Sequence, residues 1–300
     1  MIWILHLFSG RRRKGDCHFW SECCVGILQD IEVRVLSVDT AIDVHAGNLD
    51  DGPIFEQLIS IIRKKYFAAG LTGPPCETFS AARHIELPDG NHPRPLRSAA
   101  LPWVLPHRTA KELRQTSVGS RLMLHSFLAE FKLVLAGAGS LMEHPTEHSA
   151  PERASVWRLA AHEQWMMRLP HAFQHHVEQW KFGGVGVKPT TLRAVNLADP
   201  AIIARVFENH IDHLALRPSC SLSGRGTDGQ YRTAAAKEYP SQLCRALIVA
   251  VLNGIKARLL SSGSCSPKPL CKAEQAWIDS LFLSASTASL SGKFLPDFQG

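Results

Sequence analysis

What this 300-residue chain lacks narrows it before any motif is read. It has no C-x-x-C pair, and its eight cysteines, at 17, 23, 24, 76, 220, 244, 265 and 271, lack the spacing of a disulfide framework. A zinc ribbon and a stapled secreted domain are therefore disfavoured, and reduced thiols are expected. No apolar stretch reaches the length of a membrane span. The opening MIWILHLFSGRRRK carries its cations after a short apolar run, with no small-residue cleavage site behind them, so it reads as a first strand and not as a leader. The expectation is a soluble intracellular protein with no membrane partner. Excess charge is also small: 33 basic against 27 acidic residues give +6, which suits a polyanionic partner without requiring one. At 45% hydrophobic and 20% charged, disorder is not the default, and the length suffices for one sizeable α/β domain or two small ones.

What is present is an alternation of strand and helix signals. Ile2 to Phe8 is an apolar strand ending in Ser-Gly; CHFWSECCVGILQDI has helical spacing; EVRVLSVD is a second strand ending in an acid. An amphipathic helix over Ile54 to Lys65 and a short strand, YFAAGLTG, follow. Thr109 to Ala136 predicts a long helix, GAGSLMEHP a strand, and Ala154 to Arg168 another helix. HVEQWKFGG and TTLRAVN read as two late strands, and YPSQLCRALIVAVLNGIKARLL as a closing helix. Such alternation predicts a doubly wound, mostly parallel sheet with ligands at the carboxyl ends of its strands. Ser9, Asp39, Cys76 and Glu143 all fall at or just past such ends.

The stretch GPPCETFSAAR, from Gly73, is the most informative. Two prolines fix φ and make a stiff approach that presents the next side chain, although a small buried cysteine in a tight turn is the alternative. From 77 to 107 there is little periodicity. Pro88, Pro93, Pro95, Pro102 and Pro106 fall there with Arg83, Arg94 and Arg97. A loop of about thirty residues inside a domain is more often functional than accidental.

LFSG at 7–10, GPPCETFS at 73–80 and EHP at 143–145 occur in the order and spacing of the cytosine-C5 DNA methyltransferase family, and FGGVGVKPTTL at 182–192 is similar to the late motif of its compact, phage-like members. The resemblance covers Leu5 to Leu192. It implies a class I, Rossmann-like S-adenosylmethionine-dependent methyltransferase fold over 1–260, with DNA as substrate. It further implies that Cys76 adds to cytosine C6 and that Glu143 protonates N3. Phe8, Ser9, Gly10, Asp39, Asn48 and Pro75 would face the methyl donor. Arg83, Arg94 and Arg97 would reach phosphates from the 77–107 loop, and Lys188 would lie near the cytosine, which must be flipped from the duplex.

Each assignment has a plainer counterpart. Asp39 could cap a helix, Asn48 could be a turn residue, Glu143 a surface acid, Lys188 an exposed turn lysine, and each arginine an ordinary surface cation. The chain also departs from the family. Arg11 to Lys14 stand where glycines are usual, and His6 where an acid is common. Those cations could take the loop along another path, weaken donor binding, form a solvated charge run, or serve as a nuclear address in a eukaryote. Segment 197–231 is short for a target-recognition region, so a cytosine in a short context is expected. Residues 261–300, rich in Ser, Pro and Gly, read as a loosely packed tail. Two rival functions remain open: a degenerate homologue that binds nucleic acid without the donor, and an RNA cytosine-C5 methyltransferase.

Overall fold

The computed structural model describes residues 2–29, 31–86, 93–169, 172–197, 199–214, 216–218 and 237–260. Pro88, residues 198, 215 and 219–231 of the expected recognition region and the 261–300 tail lie outside the described residues.

Six strands form one sheet in the order β2-β1-β3-β4-β6-β5. They are β1 (Ile2–Leu7), β2 (Val33–Val38), β3 (Phe67–Thr72), β4 (Gly139–Pro145), β5 (Phe173–Glu178) and β6 (Pro189–Val195). β1 pairs in parallel with β2 and β3, and β3 with β4. β6 runs antiparallel to both β4 and β5. Alternation along β1 sends Ile4 to one face and Leu5 to the other, and both are fully buried. Ile4, Leu71 and Leu141 pack with Val206 and Phe207 of α5 (Pro200–Asn209) and with Leu247 and Val251 of α6 (Ser241–Leu260). Leu5 and Leu7 pack with Phe55 and Ile59 of α2 (Gly52–Arg63), Phe131 of α3 (Ala110–Leu135) and Trp165 of α4 (Ala160–Arg168). With apolar helices on both faces, this is the doubly wound, Rossmann-like α/β sheet that the sequence predicts.

The boundaries carry several corrections. The first helix, α1 (Cys17–Cys23), stops early and a 3-10 turn, Val25–Leu28, follows it. The helix expected from Ala154 is divided: Val156–Arg158 forms a 3-10 turn, and Leu159, with φ −66° and ψ 133°, is extended before α4 begins. The Trp157 indole donates to the Pro145 carbonyl at 2.8 Å, which pins that turn to the end of β4. β5 begins at Phe173, ahead of the expected stretch, and the chain turns at Gln179–Phe182 into Gly183 at φ 84°. α5 falls inside the segment assigned to target recognition. Asp199 caps it through the Ala201 amide, and Ile203, Val206 and Phe207 are buried, so residues 200–209 serve the core. Among the described residues, no helix is long and apolar enough to cross a membrane.

Candidate active site

The carboxyl ends of the parallel strands open on a cavity of about 1460 Å³. β1 leaves its last residue with Phe8 at φ 59° and Gly10 at φ 71°. The Gly10 amide donates to Asp39 Oδ2 at 2.9 Å and the Ala41 amide to Asp39 Oδ1 at 2.7 Å, so this carboxylate joins the ends of β1 and β2. Asp39 therefore orders a turn and caps no helix. Gly47 packs so closely beneath it that a Cβ there would stand 2.1 Å from the Asp39 carbonyl oxygen. Asn48 accepts from the Asp50 amide at 3.2 Å, a local side-chain turn. At Gly10 the opposite holds: an added Cβ would meet nothing within 4 Å. The backbone there is open to close approach, and Phe8, Ser9, Gly10, Asp39, Asn48 and Pro75 all line the cavity.

In the Arg11–Lys14 run, two cations are held by contacts within the protein. Arg12 Nε bonds Asp16 Oδ2 at 2.9 Å, and Arg13 donates to the Tyr239 carbonyl and lies 3.3 Å from Glu238. Within residues 10–15 the left-handed conformations fall on glycine, at positions 10 and 15, where φ is 71° and 81°. His6 is buried beneath this loop, and burial pulls its pKa down to about 4, which keeps the ring neutral.

Cys76 follows β3 by four residues and is half-buried. Burial is the main cause that pushes its thiol up to about 11. The Lys188 charge opposes this, while Glu143 and Glu77 add to it. The resting group is therefore a thiol. Glu143 lies near the end of β4, opposite Leu192 of β6, with 6% of its surface exposed. Its Oε2 accepts from the Tyr239 hydroxyl at 2.6 Å. Its Oε1 accepts from Gln179 Nε2 at 3.4 Å and stands 3.8 Å from Lys188 Nζ. Cys76, Glu143, Lys188 and Tyr239 all border the one cavity. Sequence reasoning missed Tyr239 and Gln179. Tyr239 is 96 residues from Glu143 and Gln179 is 36, and no local pattern links them.

The loop arginines divide. Arg83 donates to the Glu77 and Arg94 carbonyls, at 2.7 and 3.2 Å, and lines the cavity. Arg94 is exposed and forks onto Glu112 at 2.6 and 2.7 Å. Arg97 corrects the expectation. It is 1% exposed, donates to the carbonyls of Pro102, Trp103 and Thr116 and to Ser120 Oγ, and sits 4.2 Å over the Phe79 ring. So many fixed acceptors make it an internal strut of the proline-rich loop, out of reach of a phosphate. Lys237 closes over the cysteine loop through Glu77, at 2.9 Å.

No protein-family model and no curated protein matches this chain. Among solved structures it is similar to a proposed DNA modification methyltransferase encoded within an E. coli prophage, at a TM-score of 0.35 and 11% identity. The match covers 68% of this chain and 50% of that one, so it spans half the length of the other protein.

Proposed function

We propose that this protein is a DNA (cytosine-5-)-methyltransferase that uses S-adenosylmethionine. The observation that carries the reading is the joint opening of Cys76 and Glu143 onto the same cavity as the Phe8–Gly10 turn and Asp39. The residues present fit the donor: the uncrowded backbone at Gly10 admits close approach, and Asp39 stands at the strand end where ribose hydroxyls are commonly received.

S-adenosylmethionine, when bound, supplies an electrophilic methyl group. The chain's own residues make C5 able to attack it. Cys76 must first lose its proton, a step that the Lys188 charge favours and that burial opposes. The thiolate then forms an S–C6 bond while the C5=C6 pair shifts toward C4 and the C4=N3 pair toward N3. Glu143 gives its proton to N3, which leaves an enamine with electron density at C5. After methyl transfer the electron pair returns to C4=N3 as N3 gives its proton back to Glu143, and loss of the C5 proton to water re-forms C5=C6 and expels the thiolate. A base inside a duplex cannot reach Cys76, so the target cytosine enters the cavity flipped. Arg83 and Arg94 are the loop cations proposed to meet phosphates during that step.

Duplex DNA containing 5-fluorocytosine, incubated with the protein and labelled donor, tests the reading. Fluorine blocks the elimination, so a covalent complex carrying one methyl group is expected, and Cys76→Ala abolishes it. Trapping on RNA in preference to DNA would favour the RNA reading. Nucleic-acid binding with no heat of donor binding and no adduct would identify a degenerate homologue.

A further inference from the structure

Glu143 has a neighbour that its proposed role makes consequential. The Tyr239 hydroxyl reaches Oε2 at 2.6 Å, and the tyrosine is held from several sides. Arg13 donates to its carbonyl, the Cys244 thiol lies 3.9 Å from the same oxygen, and α6 begins two residues later. Gly73 leaves room for the contact: a Cβ there would stand 2.2 Å from the Tyr239 hydroxyl. Lys188 Nζ lies 5.7 Å from the ring centroid as well as 3.8 Å from Glu143 Oε1. Burial first, and then the Glu143 charge, push the phenol well above its ordinary range, so it remains a hydrogen-bond donor at any working pH.

We infer that Tyr239 is a positioning residue for Glu143: its hydroxyl fixes the carboxyl group and stabilises the carboxylate left when the proton passes to N3 of the base. The inference rests on the methyltransferase reading above. With Oε2 taken by the hydroxyl, Oε1 is the oxygen that presents the proton, and the 3.4 Å bond from Gln179 is long enough to yield to the base. As the O–H bond of Glu143 breaks and the N3–H bond forms, negative charge appears on the carboxyl group. A donor already in place meets that charge without reorganisation, and it bonds the carboxylate more strongly than the neutral acid. Relative to the complex in which Glu143 carries its proton, the gain therefore falls in the transition state, where it raises the rate.

Tyr239→Phe removes one oxygen and tests this directly. Single-turnover methylation of duplex DNA is expected to fall about 10- to 100-fold, less than the 10²–10³ of a donor that meets a reacting oxyanion itself. Donor affinity and melting temperature stay close to those of the wild type. In a Glu143→Gln background the same change has no further effect, whereas a merely structural tyrosine would slow both backgrounds equally and overturn the inference.

A second readout needs no turnover. The chain has three tyrosines, Tyr66, Tyr231 and Tyr239, which ring-labelled 13C NMR separates. The resonance lost in Tyr239→Phe should ionise well above 10 in the wild type and move down toward 10 in Glu143→Gln. An ordinary midpoint that Glu143→Gln leaves unmoved would show that the pairing does not exist. A wild-type protein that shows the NMR coupling but never methylates DNA would support the pairing and overturn the reaction.

Discussion

The Gly10 amide donates to Asp39 Oδ2 at 2.9 Å, and this bond joins the exits of β1 and β2 across 29 residues of chain. Because the carboxylate also accepts from Ala41, its loss frees two amides and the turn that shapes one wall of the cavity. Asp39→Ala is expected to cost about 1.5–3 kcal/mol, the range for bonds to a charged group. Donor affinity should drop at least about tenfold on titration calorimetry, that is about 1.4 kcal/mol. Unchanged affinity would reduce Asp39 to a turn residue.

Cys76 should behave as a thiol with a high pKa. With its ionisation pushed up to about 11, the alkylation rate at Cys76, followed by peptide mass spectrometry with iodoacetamide, should climb about tenfold per pH unit from 7 to 10 with no plateau. Lys188→Gln removes the charge that favours the thiolate and should slow alkylation at every pH in that range. A plateau near neutral pH would mean that the resting group is already a thiolate.

The loop arginines should separate in two measurements. Arg97→Met leaves three carbonyls and a hydroxyl without their donor and is expected to destabilise the fold by about 3 kcal/mol or more on urea unfolding. The salt dependence of DNA binding should stay the same. Arg83→Ala and Arg94→Ala should each reduce the slope of log K against log salt by about 0.9, as the loss of one phosphate contact does. A flattened slope for folded Arg97→Met would return that residue to the proposed DNA interface.

Acid should weaken the fold earlier than its carboxylates alone would. Burial lowers His6, His144 and His162 from 6.5 to about 4, 3 and 4. Below about pH 7.5 the unfolded chain takes up protons that the folded chain refuses, so stability declines as pH falls through 6.5 toward 4 and is unaffected by these groups above about 7.5. Urea midpoints measured at pH 8.5, 7.5 and 5.5 should be level between the first two and lower at the third. His162→Gln should make that fall shallower. A midpoint constant down to pH 5 would contradict the neutral buried state.

Much of the sheet was legible because its signals are local. Apolar runs that end in polar residues mark β1 to β4, and the 3.6-residue spacing marks α2, α3 and α6. α3 also announces its start, with Thr109 and Glu112 forming a reciprocal cap. α5 carries a signal of the same kind, Asp199 before Pro200 and apolar residues at 203, 206 and 207. It spans only ten residues, few enough to pass for a connection. The division before α4 depends on the bond from Trp157 to Pro145, which no spacing within 154–168 reveals.

By itself the sequence determined which residues stand at the strand ends, since side-chain alternation and the proline pair before Cys76 are properties of neighbouring residues. Only the tertiary structure decided which of those groups meet. Tyr239 reaches Glu143, Arg13 ties the loop after β1 to Tyr239, and Arg97 turns inward to carbonyl oxygens while Arg94 stays outside. Each of these outcomes depends on where elements far apart in the chain pack against one another. A buried polar group takes whatever partner that packing brings within about 3 Å, and no periodicity along the chain encodes the choice.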